Sequence, residues 1–188
     1  MKESKQAKRT RRDISEAMLK LMLEKDFDSI SVTDICEQAM ITRATFYKYF
    51  EDKYHLFSCI LEDLKEQIFE NELKKINSNN QKEIYLKLAE LCVDFINKNQ
   101  KNFVLFLKHC YNDRLIMMIL KTINDYVETL TKKEEQNFKL KVPAEVSSKF
   151  ITGGFAYFLV YMLENNKNYT KQELLSWTEE VLNQMLKN

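Results

Sequence analysis

The chain has 188 residues, 45% of them hydrophobic and 30% charged, with a formal net charge of +1. That length suits one medium domain or two small ones with real cores, and the composition is that of an ordinary globular protein. Two glycines and one proline in the whole chain argue against a turn-rich sheet fold and for long helices with few connections.

No apolar stretch approaches the length needed to span a bilayer, and the charged N-terminus has no apolar core behind it. A cytoplasmic protein with no membrane partner is therefore expected. Cys36, Cys59, Cys92 and Cys110, with His55 and His109, follow no metal-ligand or disulfide spacing. The cysteines read as small buried hydrophobes, and neither a metal nor a cofactor is expected. The charge is unevenly spread. Residues 1–12 hold six basic side chains against Glu3, whereas residues 13–55 hold five basic and nine acidic ones. A basic N-terminal arm of this kind suits a polyanionic partner.

In chain order, Ile14, Ala17, Met18, Leu21 and Met22 recur at i, i+3, i+4, i+7 and i+8, which predicts an amphipathic helix from Arg11 to Glu24. Phe27 and Ile30 close over the turn behind it, and Ser31 or Thr33 can cap a second helix over about Val32–Gln38. Ala39-Met40-Ile41 is a tight connection. Thr42 caps a third helix extending to about Tyr49, and a fourth runs from about Asp52 to Ile76. Asn77-Ser78-Asn79-Asn80 is the clearest linker. Helices are then predicted at about Lys82–Asn97, Lys101–Tyr111 and Asp113–Gln136, with Phe138–Val142 as loop. Pro143 opens another helix, to about Glu164, and Asn165–Tyr169 turns the chain. Thr170 and Glu173 form a capping-box pattern ahead of the last helix. The expected fold is all-α, with about nine helices. Residues 1–53 form a three-helix helix-turn-helix domain with its basic arm, and residues 54–188 form a second helical domain.

The third helix carries the most specific chemistry. Thr42, Arg43, Thr45 and Lys48 face outward, and no acidic residue occurs between Glu37 and Glu51. Arg43 can pair bidentately with guanine O6 and N7, and threonine methyls can meet thymine methyls in a major groove. Thr33, at the N-terminus of the second helix, is a phosphate candidate.

Residues 11–57 resemble the DNA-binding domain of the tetracycline-repressor (TetR/AcrR) family of bacterial regulators. The resemblance rests on Phe27, Ser31-Val32-Thr33, Ile35, Ala39, Ile41-Thr42, Thr45-Phe46-Tyr47, Tyr49-Phe50 and Lys53. The stretch from Phe150 to Leu182, with Gly153-Gly154 and Trp177, resembles the regulatory end of one subgroup. Met40 and Ala44 stand where that family commonly has glycine, which bears on the turn geometry more than on the DNA-contacting groups. The resemblance implies that Tyr47 contacts phosphate and that Lys53 grips the same backbone. With Thr33, Thr42, Arg43, Ala44, Thr45 and Lys48 these make up the expected DNA-binding set.

The resemblance also implies a homodimer, paired through its last two helices. Gly153, Ala156, Leu159, Val160, Leu163, Leu174, Trp177 and Val181 are the candidate interface residues. Between the two ends, Phe69, Leu88, Cys92, Phe103, Phe106, Cys110, Met117 and Tyr126 are candidates to line an apolar cavity for an unknown small-molecule effector. By resemblance, occupancy would shift the fourth helix and release double-stranded DNA. No Gly-rich phosphate loop, nucleophile elbow or metal motif accompanies the carboxylates, so an enzyme is not expected. The expected function is a ligand-released homodimeric repressor on a palindromic operator. The alternative is a ligand-binding co-regulator or activator acting through a protein partner.

Overall fold

The computed structural model describes residues 4–70, 81–109, 113–135, 143–164 and 169–185. Among the described residues there are nine α-helices and no strand. They are α1 (Lys5–Glu24), α2 (Val32–Gln38), α3 (Arg43–Tyr47), α4 (Lys53–Lys65), α5 (Gln81–Lys98), α6 (Gln100–His109), α7 (Asp113–Glu135), α8 (Ala144–Glu164) and α9 (Lys171–Met185). A 3-10 turn at Phe27–Ser29 joins α1 to α2, and a π turn at Glu66–Glu70 follows α4. The linker at Asn77–Asn80, the remainder of the fourth helix to Ile76, the loop at 138–142 and the turn at 165–168 lie outside the described residues.

The chain divides into two compact units. The head runs from the N-terminal residues to Asp63 and includes Lys101–Ile116. The body comprises Leu64–Gln100 and the chain from Met117 onward.

In the head, α1 begins earlier than its apolar stripe predicts. Ser4 caps it by accepting from the Ala7 N–H at 3.1 Å, so the basic residues from Lys5 to Arg12 belong to the helix and not to a separate arm. Expectation failed here because those residues carry no apolar period. The predicted stripe of Ile14, Ala17, Met18, Leu21 and Met22 is buried, against a core that includes Phe27, Ile30, Ile35, Phe46, Phe50 and Phe57. α1 packs on α2, and α2 on α3.

In the body, the most extensive helix pairing is α9 on α5. Phe69, Tyr85, Leu88, Val127 and Leu182 form its buried cluster. Lysines strap this pair at two places. Lys171 of α9 reaches Glu90 at 2.9 Å and Asp94 at 2.8 Å, and Lys82 of α5 reaches Glu179 at 2.9 Å and Asn183 at 3.0 Å. Thr170 and Glu173 close their box as the sequence predicts: Thr170 N donates to Glu173 Oε2 at 2.8 Å, and Glu173 N donates to Thr170 Oγ1 at 3.2 Å.

Candidate nucleic-acid interface and apolar cavity

The α2–turn–α3 motif is held by backbone and capping bonds at every joint. Ser31 caps α2 by accepting from Asp34 N at 3.1 Å, and Asp34 Oδ2 accepts from Ser31 N at 2.7 Å and Ser31 Oγ at 2.6 Å. Lys25 adds an ion pair to the same carboxylate at 3.0 Å. These donors, the Ser31 pair foremost, hold the Asp34 carboxyl well below the usual carboxylate range. Sequence reading found the cap but missed Asp34, although a carboxylate three residues after a serine cap is the signal for it.

At the other end of α2, Ile41 N donates to Cys36 O at 2.9 Å and Met40 N to Glu37 O at 3.1 Å. This is a Schellman stop with Met40 at its left-handed position, φ +52°. A residue with a Cβ is strained there by roughly 1–2 kcal/mol. Its side chain, 92% exposed, gains no packing in return.

Thr42 then caps α3. Its Oγ1 accepts from Thr45 N at 3.1 Å and lies 3.0 Å from Thr45 Oγ1. Phe46, fully buried, fixes the inner side of the five-residue helix, with Phe50 at 5.7 Å between ring centroids. The rotation of α3 is thereby set. Arg43, Ala44, Tyr47 and Lys48 face outward with Thr42, Thr45 is half-buried, and Thr33 is exposed on the first turn of α2. Arg43 Nη2 reaches Tyr47 Oη at 3.4 Å, which keeps the guanidinium along the outer face. That bond also raises its pKa. Lys48 lies 5.8 Å from the Tyr49 ring.

Lys53 is placed differently from expectation. Its ammonium donates to the carbonyls of Phe27 (2.9 Å), Asp28 (3.1 Å) and Ile30 (2.8 Å), and it sits 4.7 Å from the Phe27 ring centroid. An ammonium has three N–H donors, and all three are engaged here. Burial pushes its pKa down from the usual lysine value. Lys53 therefore clamps the Phe27–Ser29 turn to the start of α4, and the phosphate role expected for it is corrected. The positions of Lys5, Lys8, Arg9, Arg11 and Arg12 gain a meaning in exchange. With no acidic residue in its first turn, α1 brings cations to the positive end of its own dipole. That costs stability in isolation and favours a polyanion nearby.

In the body a cavity of about 360 Å³ lies among Phe69, α5, α7, α8 and α9. Of the expected pocket residues, Phe69, Leu88 and Cys92 line it. Tyr126 stacks on Phe69 at 5.7 Å. Three others are corrected. Phe103 and Phe106 belong to the head, where their rings are 6.1 Å apart, and Met117 is exposed. Cys110 lies outside the described residues. Sequence reading missed Tyr85, Ala89, Ile123, Val127, Thr152, Phe155, Phe158 and Thr178, among others in the wall. An all-apolar helix such as α8 shows no period that would tell its cavity side from its outer side.

The expected interface residues divide as well. Leu174 is core, a correction to its place in the interface. Ala156, Leu159, Trp177 and Val181 line the cavity, and Val160 is half-buried. Gly153 is exposed with no atom near its missing Cβ, and the side chain of Leu163 lies outside the described set. The outer stripe of α8 is instead Val146, Phe150 (70% exposed), Gly153, Tyr157 (76%) and Tyr161, spaced by three and four, with Trp177 and Val181 exposed on α9.

A head with a rigid helix-turn-helix and a cationic outer helix, followed by an all-helical body, defines a DNA-binding regulator. Residues 14–60 match the family model described as bacterial regulatory proteins, tetR family. Through those residues the chain belongs to the tetR family of transcriptional regulators. It is similar to an uncharacterized HTH-type transcriptional regulator, YxbF, of Bacillus subtilis, 36% identical over 28% of this chain and 14% of that protein. It is also similar to DhaS, the HTH-type dhaKLM operon transcriptional activator of Lactococcus lactis, 41% identical over 33% of this chain and 34% of that one. The matched segment thus spans a third or less of these curated relatives. The whole fold is similar to a TetR-family regulator from Syntrophomonas wolfei (TM-score 0.72, 19% identity, 96% of each chain). It is likewise similar to Bacillus subtilis FadR in complex with stearoyl-CoA (TM-score 0.65, 18% identity, 94% of this chain and 97% of that one). Among the described residues no helix is long and apolar enough to cross a membrane.

Proposed function

We propose that the protein is a homodimeric repressor of a palindromic operator, released when a small molecule enters the body's cavity. The observation that carries this reading is the outward presentation of Arg43, Tyr47 and Lys48 on a helix locked from behind by Phe46. A single head of this size reads only a few base pairs, so two symmetry-related half-sites are needed. The exposed apolar stripe of α8 supports pairing, because such surfaces seek cover. Gly153 within that stripe gives a second helix room to approach. Thr33 and Tyr47 are assigned to phosphates, Arg43 and the threonines to base edges.

The test is selection of bound fragments from sheared genomic DNA with purified protein, repeated with two variants. One or a few fragments sharing an imperfect palindrome are expected. Arg43→Ala is expected to relax preference at specific base pairs by roughly tenfold or more, whereas Lys48→Ala weakens all fragments alike and lowers the salt slope by about one. An unchanged preferred sequence in Arg43→Ala would remove α3 from base reading. The similarity to DhaS, an activator, favours a second reading in which the same protein activates transcription through a partner. A reporter driven by the selected fragment separates the two. Deleting the protein raises expression if it represses and lowers expression if it activates.

A further inference from the structure

Among the described residues, two buried side-chain atoms have no hydrogen-bond partner, Asn124 Oδ1 and Thr152 Oγ1. Thr152 lines the body's cavity and is 6% exposed. A threonine inside a helix has a ready partner in the carbonyl four residues back. Other helical threonines here use it: Thr10 donates to Gln6 O at 3.0 Å, Thr122 to Met118 O at 3.0 Å and Thr129 to Asp125 O at 2.8 Å. Thr178 lines the same cavity and donates to Leu174 O at 2.7 Å. Thr152 breaks the habit. A buried hydroxyl left without a partner is unfavourable. A ligand oxygen arriving in the cavity would relieve it.

The rest of the wall restricts what that ligand can be. Among the described residues no Asp, Glu, Lys, Arg or His lines the cavity. Burial pushes the Cys92 thiol up to about 12, so this group is neutral too. A carboxylate, phosphate or ammonium inside would be desolvated with no opposite charge to meet it. The 360 Å³ volume holds roughly a dozen non-hydrogen atoms at about 30 Å³ each.

We propose that the cavity selects a small uncharged lipophile bearing one hydrogen-bonding oxygen, and that Thr152 Oγ1 holds that oxygen. The hydroxyl can donate to a carbonyl or accept from an alcohol, so both chemistries fit. This deepens the effector reading above and rests on it for its regulatory meaning.

Trp177, the chain's one tryptophan, lies in the cavity wall and supplies the readout. The full-length protein is titrated with 1-decanol, decanoate, decyltrimethylammonium and 1-decene, following its fluorescence. Saturable binding of 1-decanol is expected, with both charged probes of the same chain length weaker by about tenfold or more. Thr152→Val keeps the shape and removes the hydroxyl. It is expected to weaken 1-decanol by roughly tenfold, leave 1-decene unchanged and melt no lower than the parent, whereas Thr152→Ser retains 1-decanol binding.

The proposal is overturned if decanoate binds as well as 1-decanol, if Thr152→Val binds 1-decanol as the parent does, or if no probe saturates. Operator binding, measured alongside, reports the regulatory reading separately. If 1-decanol fills the cavity without releasing DNA, the cavity chemistry stands and the effector role falls. If DNA is bound but no probe enters, the cavity chemistry falls while the DNA-binding reading stands.

Discussion

The head ties its polar groups to one another, whereas the body leaves a hydroxyl unpaired beside an empty apolar space. Around α2 and α3, Ser31 and Asp34 cap each other, Thr42 and Thr45 are joined, and Lys53 donates to three carbonyls. In the body, Thr152 Oγ1 has no partner among the described residues, and Phe150, Tyr157 and Trp177 remain exposed. The difference follows from what each part must do. A reading helix has to hold its side chains in one orientation before DNA arrives, because disorder there would be an entropy cost on binding. A ligand site and a pairing surface gain their affinity from groups that are unsatisfied until the ligand or partner comes.

The contrast is broken most directly at Lys53. If the head depends on internal polar clamps, Lys53→Met should destabilise it by about 2–3 kcal/mol, because three carbonyls lose a charged donor together. Urea unfolding of the variant, monitored by circular dichroism, should show a lower midpoint. DNA affinity should recover to near the parent value wherever the head stays folded. A Lys53→Met protein with unchanged midpoint but weak DNA binding would restore Lys53 as a phosphate contact.

The head was the more legible of the two regions, for a physical reason. Its helices are short and each ends at a residue whose chemistry announces it: Ser31, Thr42 and the left-handed Met40 position. The stripe from Ile14 to Met22 has a clean helical period because only one of its sides is buried. Lys53 was misassigned because sequence alone does not reveal that the Phe27–Ser29 turn lies within reach of its ammonium. The start of α1 was hidden because cations carry no phase. In the body the all-helical fold was readable, but the cavity wall was not. α8 is apolar on nearly every side, so its sequence does not separate Thr152 and Phe155, which line the cavity, from Val146 and Tyr157, which do not. Phe103 and Phe106 looked like pocket residues because aromatic spacing alone does not tell which compact unit a helix joins.

A smaller effect is expected from acid. The Asp34 carboxyl titrates below its unfolded value, so the folded state binds its proton less readily than the unfolded state. Its contribution is therefore fully present above the ordinary carboxylate range, about pH 4, and is lost as pH falls through the folded value. Asp34→Asn should cost about 1–2 kcal/mol at neutral pH. Urea midpoints should show a flatter decline below about pH 4 for the variant than for the parent. Parallel declines would mean that the Ser31–Asp34 box does not govern the head's acid response.

The smallest effect has the opposite sign. Met40 holds φ +52° at the Schellman position with its side chain in solvent, so glycine there removes backbone strain and sacrifices no packing. Glycine also gains more freedom in the unfolded chain, which offsets part of the gain. The net expectation for Met40→Gly is a stabilisation of about 0.5–1 kcal/mol, seen as a higher urea midpoint. The motif geometry already satisfies Ile41 N and Met40 N, so the orientation of α3 should not change and neither should DNA affinity. If Met40→Gly stabilised the fold but weakened DNA binding, the exposed methionine would itself be a DNA contact. The head would then carry an unsatisfied apolar group awaiting its partner, as the body does.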